Sequence, residues 1–537
     1  MNNDKKKSKS DLCSPSENIE EKLRDLRSML THAREIEKST QTLVHSLQER
    51  SINYGSYLQQ IKTENKFIKN IQQLENPNMG ISVKRMSVAR KQLFVLYIQE
   101  LTNREMLSQF LIGPILKYDQ AAPLDIDILH NSIINLDDVT VDSAKEKTLD
   151  YILKGYSVII VDDNEEEYLV ANTIKIEKRT TQSPEIEQTL WGSRDAFTEN
   201  INSNLSLIRY RIKDPSLIIY KCLIGERTKT NVAVVYIDDI ANQEYVNKVI
   251  KKINSINTDG ILETGMVQKF LLNNTFDLFP QTGLIEKSAT ACQCILEGKI
   301  CILVEGSNLS LIAPKTFFEF FVSSDDNYGY MYLGILAKLL RFISAFCYLS
   351  LSSLYIAIVA FHFDILPPQY ALAMAVSRAT VPFNAFTEVL IMEIATEILR
   401  ESSIRIPKNI GPTIGIVGAI VIGQAAVSAG LISPLVIIIT SLSTMCSFVI
   451  PDNLVINPFR IMKFMLLVFT GILGLFGFTM GLNIIFINLV SQSSFGIPYF
   501  SPLAPFNFSD LKNFILGDLT LAKKRPGFLK TPDNTRL

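Results

Sequence analysis

The chain has 537 residues, a formal net charge of -1 and 47% hydrophobic residues. That length holds two or three ordinary domains, and the balanced charge excludes a whole-chain electrostatic basis for binding nucleic acid, which needs a concentrated basic face. The apolar content is unevenly placed: charged residues recur every few positions from Met1 to about Tyr330 and thin out from Phe342 to Val490, which predicts a soluble region followed by a membrane-spanning one.

The opening stretch, MNNDKKKSKSDLCSPSENIEEKLRD, contains no apolar core of about seven residues, so no cleaved secretory signal is expected and the N-terminal region is expected to be cytoplasmic. Lys5, Lys6 and Lys7 read as a solvated tail or as a contact for anionic lipid. Residues 1–75 are polar, with Leu23, Leu26, Leu30, Leu43, Leu47, Leu58 and Ile61 at irregular helical intervals. They predict a partly helical or disordered extension without the sustained heptads of a coiled coil.

Short Val-, Ile- and Tyr-rich runs then alternate with amphipathic stretches, the texture of mixed α/β packing. Gln92 to Ile98, Ser157 to Val161, Tyr168 to Ile176, Ile218 to Leu223 and Val232 to Ile237 predict strands. Val141 to Leu153, Asp195 to Tyr210 and Gln243 to Ile253 have helical spacing. The expected organisation is two small α/β subdomains, 76–190 and 191–330, the second opened by a linker helix, with no repeat visible between their sequences. Seven scattered cysteines predict free thiols in a reducing compartment. Cys292 and Cys294 lack a second pair or a nearby His, so no metal site and no cofactor are expected.

From about Tyr330 the chain offers apolar stretches matching the roughly 20 residues needed to cross about 30 Å of hydrocarbon. A polytopic all-α domain is expected over 331–500, with spans near 342–361, 411–431, 434–450 and 462–489 and a tail over 501–537. Gly411, Gly415, Gly418 and Gly423 stud the second span, and small residues of this kind let helix backbones approach closely. A further segment, 383–399, is apolar apart from Glu388, Glu393 and Glu397. At 100° per residue Glu393, Glu397, Arg400 and Glu401 share one face and Glu388 lies off it. An acidic group at the bilayer centre costs about 2.5–3.5 kcal/mol, so that face must meet protein, water or the interface. An interfacial helix, a bundle helix with internal ion pairs, and a helix bordering a cation path all satisfy that requirement.

Lys338 and Arg341 before the first span, and Lys523, Lys524 and Arg525 in the tail, favour both ends inside and an even number of crossings. Arg400, Arg405, Lys408, Arg460 and Lys463 also read as cytoplasmic, and five crossings remain open if 383–399 spans fully. No G-x-x-x-x-G-K-[ST], G-x-S-x-G or H-E-x-x-H occurs, and His32, His45, His130 and His362 are far apart, so an enzyme is not expected.

Trp191 to Asn200 reads WGSRDAFTEN, Asn204 to Arg211 reads NLSLIRYR, and Lys213-Asp214-Pro215 follows. Later come Phe279-Pro280, Leu296 to Lys299 (LEGK), Pro314 to Phe321, Ser324 to Asp326, Val381 to Phe383, Met392-Glu393, Ile398 to Glu401, Arg405 to Pro407, Ile416 to Gly418, Ile422-Gly423 and Gly496 to Tyr499. Together these closely resemble the ordered motifs of the A subunits of GerA-family spore germination receptors, from about Asn65 to Pro526. The chain departs from the family pattern at Ser193, at Ile285 to Ala289 and at Asn384.

The resemblance implies a subunit of a nutrient germinant receptor in the spore inner membrane, with its N-terminal region on the cytoplasmic, spore-core side. Its implied partners are a transporter-like B subunit, a lipoprotein C subunit and further copies of itself. It also implies an oligomeric ligand-gated cation channel, for which Glu388, Glu393, Glu397, Gly415, Gly418 and Gly423 become candidate lining groups. Arg194, Glu199, Arg209 and Arg211 become candidate interdomain or inter-subunit contacts, with pairing inside their own domain equally open. A non-conducting signalling scaffold and a secondary transporter are the alternatives; the inverted repeats usual in the latter are not visible.

Overall fold

The computed structural model of the chain describes residues 79–89, 91–118, 124–144, 147–161, 167–175, 192–193, 195–274, 277–327, 329–405, 423–516 and 524–535. The extension expected over 1–75, Arg194, Gly415 and Gly418 lie outside the described residues.

The first α/β half runs β1 (Ile81–Val88), β2 (Lys91–Ile98), helical segments α1 (residues 104–116) and α2 (residues 126–133), β3 (Val139–Asp142), α3 (Lys147–Leu153), β4 (Ser157–Val161) and β5 (Tyr168–Ala171). Its sheet is antiparallel in the order β1-β2-β4-β5-β3. The single helix expected over Val141 to Leu153 is instead strand β3 followed by α3. Val139, Thr140 and Val141 are β-branched, and they pair with Ala171, Val170 and Leu169 of β5. The strand expected to reach Ile176 ends at Ala171, and Ile174 makes only an isolated bridge to Thr102.

The second half follows α4 (Ile201–Arg211): β6 (Leu217–Ile224), β7 (Thr230–Ile237), α5 (Gln243–Asn254), α6 (Thr264–Leu271), β8 (Gly283–Ile285), α7 (Ser288–Leu296), β9 (Ile300–Val304) and β10 (Ser310–Ala313). Its sheet order is β6-β7-β9-β10-β8, so the two halves share one topology that their side chains had concealed. The alternation of strand residues explains why this sheet is covered twice. Ile218, Val232, Val234, Ile300 and Ile302 pack under Tyr245, Val246, Val249 and Ile253 of α5. Leu217, Ile219, Ala233, Val235 and Cys301 pack against Ile201, Leu205 and Ile208 of α4 and Ala291 and Ile295 of α7. Each such Val, Leu or Ile side chain contributes about 1.5–3 kcal/mol by leaving water. α4 starts six residues later than Asp195 because Asn200 caps it, accepting from the backbone N–H of Asn202 and Ser203.

The helical region comprises α8 (Met331–Phe361), α9 (Pro368–Arg378), α10 (Ala385–Arg405), α11 (Pro434–Phe448), α12 (Asn453–Ser491) and, after a two-stranded ladder at 493–498, α13 (Phe508–Leu516). α8 and α12 are long and apolar enough to cross a membrane. α12 is not straight: its 39 residues would extend about 58 Å, but Gly474, with φ 61° and ψ -137°, breaks it. A Cβ at Gly477 would run into the Phe469 carbonyl oxygen, and one at Gly481 would stand 2.6 Å from Leu466 Cδ1. Residues 466 and 481 would be about 22 Å apart along one helix, so α12 is two antiparallel legs, 453–473 and 475–491. Phe459, Leu466, Phe478, Ile485 and Leu489 share a core across the seam. Both ends of α12 sit against the second α/β half: Asp452 pairs with Lys315 at 2.7 Å, and Ser494 Oγ donates to the Gln281 carbonyl at 2.7 Å.

Candidate functional site

Three of the four glutamates of α10, Glu388, Glu393 and Glu397, each meet a cation from another helix. Glu393 is 4% exposed; Lys463 Nζ on α12 donates to Oε2 at 2.6 Å and Ser352 Oγ on α8 donates to Oε1 at 2.5 Å. The same ammonium donates to Ser443 Oγ on α11 at 2.9 Å and lies 4.7 Å from the Tyr348 ring centroid. One turn on, Glu397 accepts from Arg460 Nε of α12 and lies 3.8 Å from Arg400. Arg400 donates in turn to Tyr348 Oη at 3.2 Å and to Ser447 Oγ at 2.9 Å. Glu393 and Glu397 therefore tie α10 to α8, α11 and α12 through one continuous polar network. Desolvating either sign alone would be costly, so the charges are matched.

Glu388 points elsewhere, as its position on the helical wheel requires. It is fully buried, accepts from Arg378 Nε and Nη2 at 3.2 and 3.0 Å, and takes the Ser433 backbone N–H at 3.0 Å. That one carboxylate joins the end of α9, the first turn of α10 and the start of α11. Gly423 lies in a short helical stretch, 423–428, in ordinary contact distance of Ile437 on α11. Sequence reasoning singled out the glutamates but read Arg460 and Lys463 as cytoplasmic charges and passed over Arg378. The usable signal was that a lone cation in an otherwise apolar helix needs a carboxylate at the same depth.

A second polar site lies where α4 meets the first half. Arg209, 1% exposed, donates from Nη2 to the Met79 carbonyl at 2.6 Å, and Ser206 Oγ donates to the Glu100 carbonyl. Glu100 also takes Lys221 of β6 at 2.8 Å. Gly80, at φ +71°, leaves room for the guanidinium, since a Cβ there would stand 3.0 Å from Arg209 Nη2. Burial pulls the Arg209 guanidinium down to about 10, with Glu100 opposing, so it stays charged at neutral pH. Arg211 instead pairs within the second half, with Asp195 at 2.7 Å and Ser288 Oγ at 3.2 Å. The Glu199 carbonyl accepts from the Gly306 N–H at 2.8 Å. Of the four candidate contacts, Arg209 reaches across the two α/β halves.

The sequence profile described as Bacillus/Clostridium GerA spore germination protein matches residues 67–528. The chain is 34% identical over 438 residues to the uncharacterized membrane protein YfkQ of Bacillus subtilis (strain 168), covering 81% of this chain and 85% of that one. It is 33% identical over 446 residues to spore germination protein KA of the same organism, covering 83% and 82%. Among solved structures it is similar to the N-terminal domain of the A subunit of the Bacillus megaterium spore germinant receptor GerK3, at 25% identity, 48% of this chain, 96% of that one and a TM-score of 0.34. With the profile running through both α/β halves and every helix that bears the charge network, the chain belongs to the GerA family of spore germination proteins.

Proposed function

We propose that the chain is the membrane subunit of a nutrient germinant receptor in the spore inner membrane, working with transporter-like B and lipoprotein C subunits. In this reading copies of the chain assemble around a cation path that opens when germinant binds, and the α/β region faces the spore core. The observation that carries it is the buried network on α10 in a chain of this family: ionisable groups inside apolar helices are expensive and mark function or a paired scaffold. As arranged, Glu388, Glu393 and Glu397 each accept from a cation, so a path along them is closed, and conduction requires them to exchange partners. Gly415, Gly418 and Gly423 remain candidate small residues for the wall of that path.

Cation flux from proteoliposomes holding the A, B and C subunits, with and without germinant, tests this. Germinant-dependent flux that falls at least severalfold in Glu393→Gln and Glu397→Gln supports the channel with those carboxylates on its path. Absence of flux from correctly assembled complexes rejects it. The complete matching of the three glutamates favours one second reading, a non-conducting signalling scaffold, and that is the reading such a result would leave.

A further inference from the structure

The second α/β half is not closed by its own residues. Leu529, 1% exposed, sits in the same core as Val234, Val249, Ile300 and Leu311, more than 200 positions downstream of most of them. Three contacts hold it there. Arg525 Nε donates to the Leu296 carbonyl at 3.0 Å, Asn242 Nδ2 donates to the Lys530 carbonyl at 3.1 Å, and Thr531 Cγ2 lies 2.6 Å from where a Cβ would stand on Gly298, whose φ is +96°. The segment is shaped by Arg525 itself, whose Nη1 donates to the Asp533 carbonyl at 2.9 Å and the Thr535 carbonyl at 2.8 Å, with a bridge between Lys524 and Thr535. These contacts use the cap of α5, the end of α7 and the turn into the central strand β9, so they recognise one end of the sheet rather than generic surface.

We propose that residues 524–535 are an intramolecular strap that locks the chain's last segment onto the second α/β half. Resting on the reading of the helical region as membrane-spanning, the strap puts the tail and that half on one face of the bilayer. The helices between them then cross an even number of times, with the fold-back at Gly474 returning α12 to the side it left. The strap also fixes the distance between the second half and the last helices, so movement in one is transmitted to the other.

Sided labelling of the full chain in sealed vesicles tests the proposal, with an impermeant maleimide and single exposed cysteines at Arg227→Cys and Asn534→Cys, each read against the unsubstituted chain. Both sites reacting, or both protected until the vesicles are permeabilised, is the expected result; one reacting while the other is protected overturns it. Extraction of the chain by alkaline carbonate would instead sink the membrane reading on which it rests. For the strap itself, Leu529→Cys and, as a milder probe, Thr531→Cys should react at least tenfold more slowly than Asn534→Cys, and Arg525→Ala should remove most of that difference. Equal rates at all three positions without Arg525→Ala would mean that no strap holds.

Discussion

Arg209 and Lys463 are both long cationic side chains at 1% and 3% exposure, and the chain treats them differently. Arg209, between the α/β halves, has one hydrogen bond to a backbone carbonyl, while its Nε and Nη1 have no partner among the described residues. Its nearest carboxylate, Glu100, is shared with the more exposed Lys221. Lys463, among the helices, has a full carboxylate at 2.6 Å, a hydroxyl at 2.9 Å and an aromatic face. A junction bordered by water tolerates a partly matched cation, because solvent lies within reach of its surroundings. On the membrane-spanning reading proposed above, a helix bundle in hydrocarbon has no such reserve, so each of its charges must be met by protein.

Removing one partner on each side of this contrast sharpens it. Lys463→Met should cost about 3–5 kcal/mol in detergent-solubilised unfolding, because Glu393 is left buried and uncompensated. Adding Glu393→Gln to that chain should recover most of the loss; additive losses would show that the pair is not coupled. Arg209→Met should cost less, about 1–3 kcal/mol, chiefly from the orphaned Met79 carbonyl. A loss as large as that of Lys463→Met would break the contrast.

The smallest effect is a titration in the second half. Burial pushes the Cys292 thiol up to about 12, with Arg211 opposing, and raises Cys301 as well. An unfolded thiol releases its proton near 9 and these folded ones do not. Their contribution to stability is therefore fully present below pH 9 and is lost as pH rises towards 12, by about 1 kcal/mol per thiol at about pH 9.5. Stability measured against pH should flatten over that window in Cys292→Ala, Cys301→Ala; an unchanged slope would count against the burial argument.

The strands with uninterrupted β-branched runs were legible from their residues. Ser157 to Val161 was expected and observed with the same limits, since four β-branched apolar residues in a row, Val158 to Val161, leave little choice of element. The boundary at β3 was not legible, because Val141 opens the stretch to Leu153 that carries helical spacing while also having β-propensity, and only the pairing with β5 decides between them. Likewise 462–489 reads as one apolar span, and hydropathy has no term for a backbone reversal. Gly474 is set apart from the other glycines of α12 by its left-handed backbone and by Phe361 of α8 packed against it, neither of which a hydropathy profile records.

By itself the amino-acid sequence determined the division into a charged and an apolar region, five of the ten strands of the two sheets, the longer helices, and the family, since these depend on local composition, period and motif order. It also located the carboxylates on α10, because helical geometry fixes which side chains share a face. Only the tertiary structure decided what those carboxylates touch, that the two α/β halves share a strand order, and that Leu529 completes a core built mainly from residues 218–313. Each of these depends on contacts between residues far apart along the chain. The free energy of such contacts comes from burial and charge matching in three dimensions, which no local pattern records.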